Sequence, residues 1–77
     1  MRRKAVDSTT MRSVGYQPRS RILEIEFDSG AVYQYLEVPA MVCEQLLRAG
    51  SKGRYFNNEI REVYQYVPVS RTRAAGW

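Results

Sequence analysis

The clearest pattern along the chain is an alternation with period two. In Arg21-Ile22-Leu23-Glu24-Ile25-Glu26-Phe27, Leu23, Ile25 and Phe27 share one face and Glu24 and Glu26 the other, which is the signature of a half-buried strand. A shorter strand from Arg12 to Tyr16 comes before it, with Val14 and Tyr16 on one face, and Gln17-Pro18-Arg19-Ser20 supplies a proline-containing turn between the two. A third strand, Ala31 to Leu36, follows Asp28-Ser29-Gly30. The length of that loop decides where the tyrosines point. Gly30 at the third loop position fits a type I turn closed by a bulge, in which glycine supplies a positive φ, whereas a two-residue loop would favour Asn or Asp before the glycine. The three-residue loop pairs Phe27 with Ala31, Ile25 with Tyr33 and Leu23 with Tyr35, and both tyrosines then share the apolar face.

The period changes after Leu36. Pro39 suits a first helical position, and Val42, Cys43, Leu46, Leu47 and Ala49 fall on one stripe. Gly50 is expected to end this helix in left-handed geometry. Phe56, Ile60 and Tyr64, spaced by four, predict a second helix of two or three turns, capped by Ser51 or by Asn57. The expected fold is α+β: a three-stranded antiparallel meander packed on one face by two short helices. Its boundaries are a flexible basic arm over 1–5, a single domain over 6–66 and a flexible tail over 67–77 with Trp77 as its large apolar group. No internal repeat and no low-complexity tract is read. In this scheme the outer sheet face, with Ile22, Glu24, Glu26, Val32, Gln34 and Leu36, stays uncovered.

At 77 residues the chain has room for one modest core. No apolar run approaches the roughly 18 residues that cross a bilayer, and Met1-Arg2-Arg3-Lys4 leads into Ala5-Val6-Asp7-Ser8 instead of an apolar segment, so a cytoplasmic protein without membrane contact is expected. With no His and one Cys, neither a Ser-His-Asp triad nor a Cys-His pair nor the usual zinc sites can be assembled. No metal, no cofactor and no enzymatic activity are expected. The formal charge of +4 is unevenly placed: residues 1–21 carry a net +5, residues 22–64 a net −3 and the last thirteen +2. The excess is peripheral, so nucleic-acid binding would need a local patch.

Ser51-Lys52-Gly53-Arg54 is the best candidate for such a patch. Two cations flank a glycine that permits close backbone approach, beside a possible helix start whose free amides attract phosphate. Arg48 and Arg61 extend it to four cations if the helices fold back on each other, and Tyr55 adds an aromatic. The alternative is a solvated interhelical turn. Tyr33-Gln34-Tyr35 has two readings as well, alternate aromatics that stack bases or core residues beneath the helices, the second being what the register argues. Cys43 on the apolar stripe reads as a core filler. Glu24 and Glu26 have the spacing of a carboxylate pair, but no nucleophile accompanies them, and alternation places them in solvent.

Asp7-Ser8, Val14-Gly15-Tyr16, Phe27-Asp28-Ser29-Gly30, Tyr33-Gln34-Tyr35, Val38-Pro39 and the run Ala49-Gly50-Ser51-Lys52-Gly53-Arg54-Tyr55-Phe56-Asn57 with Ile60-Arg61 together resemble the KTSC domain. The match runs from about Val6 to Tyr64. That family is named for the C-terminal domain of some lysyl-tRNA synthetases and also occurs as small stand-alone bacterial proteins. The resemblance implies a link to RNA and brings no catalytic residue. Two partner classes follow: RNA or tRNA, held by Lys52, Gly53, Arg54, Arg48, Arg61 and Tyr55, or a protein partner or second copy of the chain, held by Ile22, Val32 and Leu36.

Overall fold

The computed structural model describes residues 2–69. At its centre lies the strand with the period-two alternation, β3 (Ile22–Phe27), which pairs antiparallel with β2 (Met11–Gln17) on one side and β4 (Val32–Tyr35) on the other. Two more strands correct the expectation of three. β1 (Lys4–Ala5) pairs with β2, and β5 (Tyr66–Pro68) pairs with β4, which gives one antiparallel sheet in the order β1-β2-β3-β4-β5. The arm and the start of the tail are therefore parts of the sheet. Edge strands bind through backbone groups that every residue carries, so neither shows an alternation, and Pro68 is tolerated because an edge leaves one side unpaired. The rest of the tail, residues 70–77 with Trp77, lies outside the described residues.

The β3–β4 hairpin has the expected register. Leu23 faces Tyr35 and Ile25 faces Tyr33, the Phe27 amide donates to the Ala31 carbonyl at 2.8 Å, and Gly30 has φ 95°. A Cβ is strained there, so Gly30→Ala is expected to lower stability by about 1–2 kcal/mol in urea unfolding, where the same change at a permissive site would raise it. A more stable variant would contradict the turn geometry.

Helices α1 (Ala40–Arg48) and α2 (Lys52–Glu59) occupy the connection from β4 to β5. They cover the apolar sheet face: Met11, Val14, Leu23, Ile25 and Tyr35 pack with Val38, Cys43, Leu46, Phe56 and Ile60 in one core. Three local expectations change. Pro39 is the extended residue just before α1, not its first helical one. Gly50 is not left-handed: α1 ends as Ala49 turns extended (φ −62°, ψ 139°), and Gly30 is the one glycine with positive φ among the described residues. The Lys52 ammonium donates to the Ala49 carbonyl at 3.2 Å and so satisfies a helix-end acceptor that a left-handed cap would otherwise serve. Tyr64 lies beyond the end of α2, although its amide still reaches the Ile60 carbonyl at 3.2 Å. Of the two possible caps Ser51 is used, its Oγ accepting from the Arg54 amide at 3.3 Å.

The outer face also departs from expectation. Arg3, from the arm, runs across Gly15, where a Cβ would come within 2.5 Å of the Arg2 carbonyl and 3.0 Å of Arg3 Cγ. Its guanidinium forms an ion pair with Glu24, its Nε donates to Ser13 Oγ at 2.8 Å, and Ser13 Oγ donates to Glu26 Oε1 at 2.9 Å. Gln34 Nε2 donates to the other Glu24 oxygen at 2.8 Å. Glu24 is thus only 4% exposed, Val32 is 6% exposed, and Ile22 and Leu36 are half-buried. The solvated carboxylate pair gives way to this network, and the expected apolar trio is not fully exposed. The arm that closes it could not be placed by alternation, because its pairing is long-range.

Candidate functional site

The four cations expected around the α1–α2 turn have different surroundings. Lys52 and Gly53 line a polar recess with Asp7, Ser8, Thr9 and Thr10. Lys52 is engaged by Ala49, and the space a Gly53 side chain would fill belongs to Thr10, whose Oγ1 would lie 2.6 Å from an added Cβ. The glycine therefore allows Thr10 to pack closely, which offsets its poor helix propensity. Arg54 and Tyr55 border a second, more open hollow with Asn58 and Glu59, which adjoins the first at Gly50 and Ser51, and Tyr55 Oη donates to Gln45 Oε1 at 2.8 Å. Arg48 is exposed in the last turn of α1. Arg61 lies past the end of α2. Residues two apart on a helix do not share a face, so Lys52 and Arg54 separate as soon as α2 forms.

Arg61 instead stands at a cleft of about 310 Å³ lined by Phe27, Tyr33, Tyr35, Phe56 and Tyr66, with Ser29 and Ala31 from the hairpin turn. The five rings touch in a closed circuit. Centroids are 5.8 Å apart for Phe27–Tyr33, 5.1 Å for Tyr33–Tyr66, 5.5 Å for Tyr66–Tyr35, 5.5 Å for Tyr35–Phe56 and 5.2 Å for Phe56–Phe27. Most contacts are edge-to-face, the favourable arrangement for aromatic quadrupoles. Tyr35 and Phe56 form a buried floor, Phe27 and Tyr33 are half-buried, and Tyr66 is 52% exposed. Tyr35 is 3% exposed. Its phenol has no hydrogen-bond partner among the described residues, unlike Tyr16, whose Oη donates to the Val38 carbonyl at 2.6 Å. Burial, then the neighbouring Tyr66 and Tyr33, pushes the Tyr35 phenol up to about 12, with the Arg61 charge acting against them.

The two tyrosines of the alternating motif thus split: Tyr35 belongs to the core and Tyr33 to the accessible wall. Phe27 shares their apolar face as expected and Phe56 reaches it from α2, whereas Tyr66 was expected in neither group. A signal for Tyr66 was present, and it corrects the reading of no internal repeat: Val63-Tyr64-Gln65-Tyr66 duplicates Val32-Tyr33-Gln34-Tyr35, and in the fold Tyr66 stands directly opposite Tyr35. Cys43 is buried and its thiol is raised by that burial and by Glu44, as befits a core filler rather than a nucleophile. Among the described residues no cluster of His, Cys, Asp or Glu could hold a metal ion, and no helix is long and apolar enough to cross a membrane.

Residues 7–66 match the KTSC domain. The chain belongs to the KTSC domain family. This KTSC domain is 48% identical over 67 residues to a protein of Stutzerimonas stutzeri, spanning 86% of this chain and 94% of that one. It is 38% identical over 64 residues to a lysine-tRNA ligase of Nostoc sp., spanning 83% of this chain but 11% of the ligase. The crystal structure of a KTSC domain protein from Yersinia pestis superposes with a TM-score of 0.87 at 36% identity, covering 90% of this chain and 97% of that one. The α+β fold expected from the hydrophobic periodicities is shared with that KTSC structure.

Proposed function

We propose that this KTSC domain is a non-catalytic binding module for single-stranded RNA that holds phosphates on its helical side. One observation carries the reading. The ion pairs among the described residues lie on the sheet side, where Arg3 meets Glu24 and Glu26 and Arg12 meets Asp28, while Arg48, Arg54 and Arg61 are exposed and form no ion pair, as is also true of Arg2 in the arm and of Arg19 and Arg21 at the β2–β3 turn. Uncompensated arginines favour phosphate, whose oxygens their planar forks can engage. Similar segments within lysine-tRNA ligases support RNA as the polyanion. Lys52, committed to Ala49, is a secondary contact in this reading, and Gly53 contributes packing.

The test is a titration of a short single-stranded RNA at several salt concentrations. Three phosphate contacts give a log-log salt slope of about −2, and Arg48→Gln/Arg54→Gln should flatten it by about 1.4. The basic ends are controlled by Arg2→Gln/Lys4→Gln and by removing residues 70–77, cuts that spare Arg3 and β5. Binding that survives the helix-side substitutions but falls with the end variants would defeat the proposal.

A further inference from the structure

The aromatic cleft has three properties that a purely structural cluster does not need. Its rim is open, with Tyr66 half in solvent and Tyr33 half-buried. A buried phenol, Tyr35, lines it without a protein partner among the described residues, although buried hydroxyls are ordinarily satisfied. The cation beside it, Arg61, forms no ion pair there. Aromatic walls, a free polar group at the floor and an uncompensated positive charge at the edge together complement a planar ring that bears hydrogen-bonding groups and is joined to an anion. The cleft is at the small end of ligand sites, which run from about 300 to 1,000 Å³, so it suits one ring system.

We propose that this cleft is a base-binding site of the KTSC domain: an unpaired RNA base stacks on Tyr33 and Tyr66, the Tyr35 phenol bonds its polar edge, and Arg61 takes the adjoining phosphate. The inference rests on the RNA reading above for the class of polymer and adds the site that reads its bases. A duplex does not fit, because its bases are already stacked on one another and offer only their edges. The sheet supplies the geometry. Tyr33 and Tyr35 are held by pairing to Ile25 and Leu23, and Tyr66 by pairing to Tyr35.

The experiment compares two probes of equal length and charge, an oligouridylate and an abasic phosphodiester strand, by affinity and by tyrosine ring and amide shifts. Base–aromatic stacking predicts that Tyr66→Ala weakens the oligouridylate by about 5- to 150-fold without moving the abasic strand. Tyr66→Leu, which keeps apolar volume beside Tyr35, should lose binding similarly and guards against a folding artefact. Tyr35→Phe, which removes the phenol alone, should cost about 3- to 10-fold. If both strands bind alike and the cleft shifts stay still, the base site is refuted while phosphate binding stands. If the oligouridylate binds in the cleft with a salt slope of only about −0.7, the single Arg61 contact, and Arg48→Gln/Arg54→Gln changes nothing, the helix-side phosphate reading fails while the base site stands. If neither strand binds at low salt, both are overturned.

Discussion

Tyr35→Ala is expected to remove most of the stability of this domain. The ring is 3% exposed, contacts Phe56 and Tyr66, and belongs to the single core, and truncating a buried aromatic costs about 3 to 5 kcal/mol. A chain of this length has only about 4 to 11 kcal/mol in total. Tyr35→Phe keeps the ring and should remain folded, so the two variants separate packing from the hydroxyl. The hydroxyl has its own signature in alkali. Its pKa is pushed up to about 12 in the fold, against 10.0 for an ordinary tyrosine. Between those values the unfolded chain has lost the proton that the folded chain still holds, so stability is intact below about pH 10 and falls as pH rises towards 12, by roughly 2 to 3 kcal/mol in all. Urea unfolding at pH 8, 10 and 11.5 should show this loss in the native protein and a smaller one in Tyr35→Phe, where the raised Cys43 and Tyr55 still contribute. Equal losses in both would show that Tyr35 ionises without strain.

The second large effect is expected at Arg3, in a segment that composition alone would assign to solubility. Arg3→Ala leaves the Glu24 carboxylate, whose side chain is 6% exposed, with Gln34 as its remaining partner. Breaking a buried pair from one side is costly because the other charge stays desolvated, and here water reaches the Arg3 position, so a loss of about 2 to 3 kcal/mol is expected. Arg2→Ala and Lys4→Ala, on exposed side chains, should each stay within about 0.5 kcal/mol. Removing the carboxylate as well, in Arg3→Ala/Glu24→Gln, should recover part of the loss. Should Arg3→Ala match Arg2→Ala in urea unfolding, the network does not hold the sheet. The same arithmetic makes deletion of residues 1–5 a poor control in binding experiments, since it unpairs Glu24 along with removing charge.

Features that depend on neighbours in the chain were legible before any fold was known. The alternation from Ile22 to Phe27 set the central strand. Gly30, at the third loop position, set the hairpin register, and through it the inward direction of Tyr35. The stripe from Val42 to Leu47 set α1 and buried Cys43. These are short-range constraints, in which backbone geometry and side-chain period act over a few residues. Features that depend on partners far along the chain were set by packing. β1 and β5 exist because a sheet edge offers backbone groups to whatever strand can reach it. Glu24 is buried because Arg3 crosses Gly15 to meet it, a contact between residues 21 positions apart. Within the candidate patch, α2, once helical, turns Lys52 and Arg54 to different sides and hands Lys52 to the end of α1. The aromatic cleft appeared for the complementary reason: Phe27, Tyr33, Tyr35, Phe56 and Tyr66 come from three strands and a helix, and only the pairing of β4 with β5 brings the last of them beside the others. Periodicity shows that a residue faces inward, but which rings then meet, and whether they leave an opening, is fixed by how the distant elements pack.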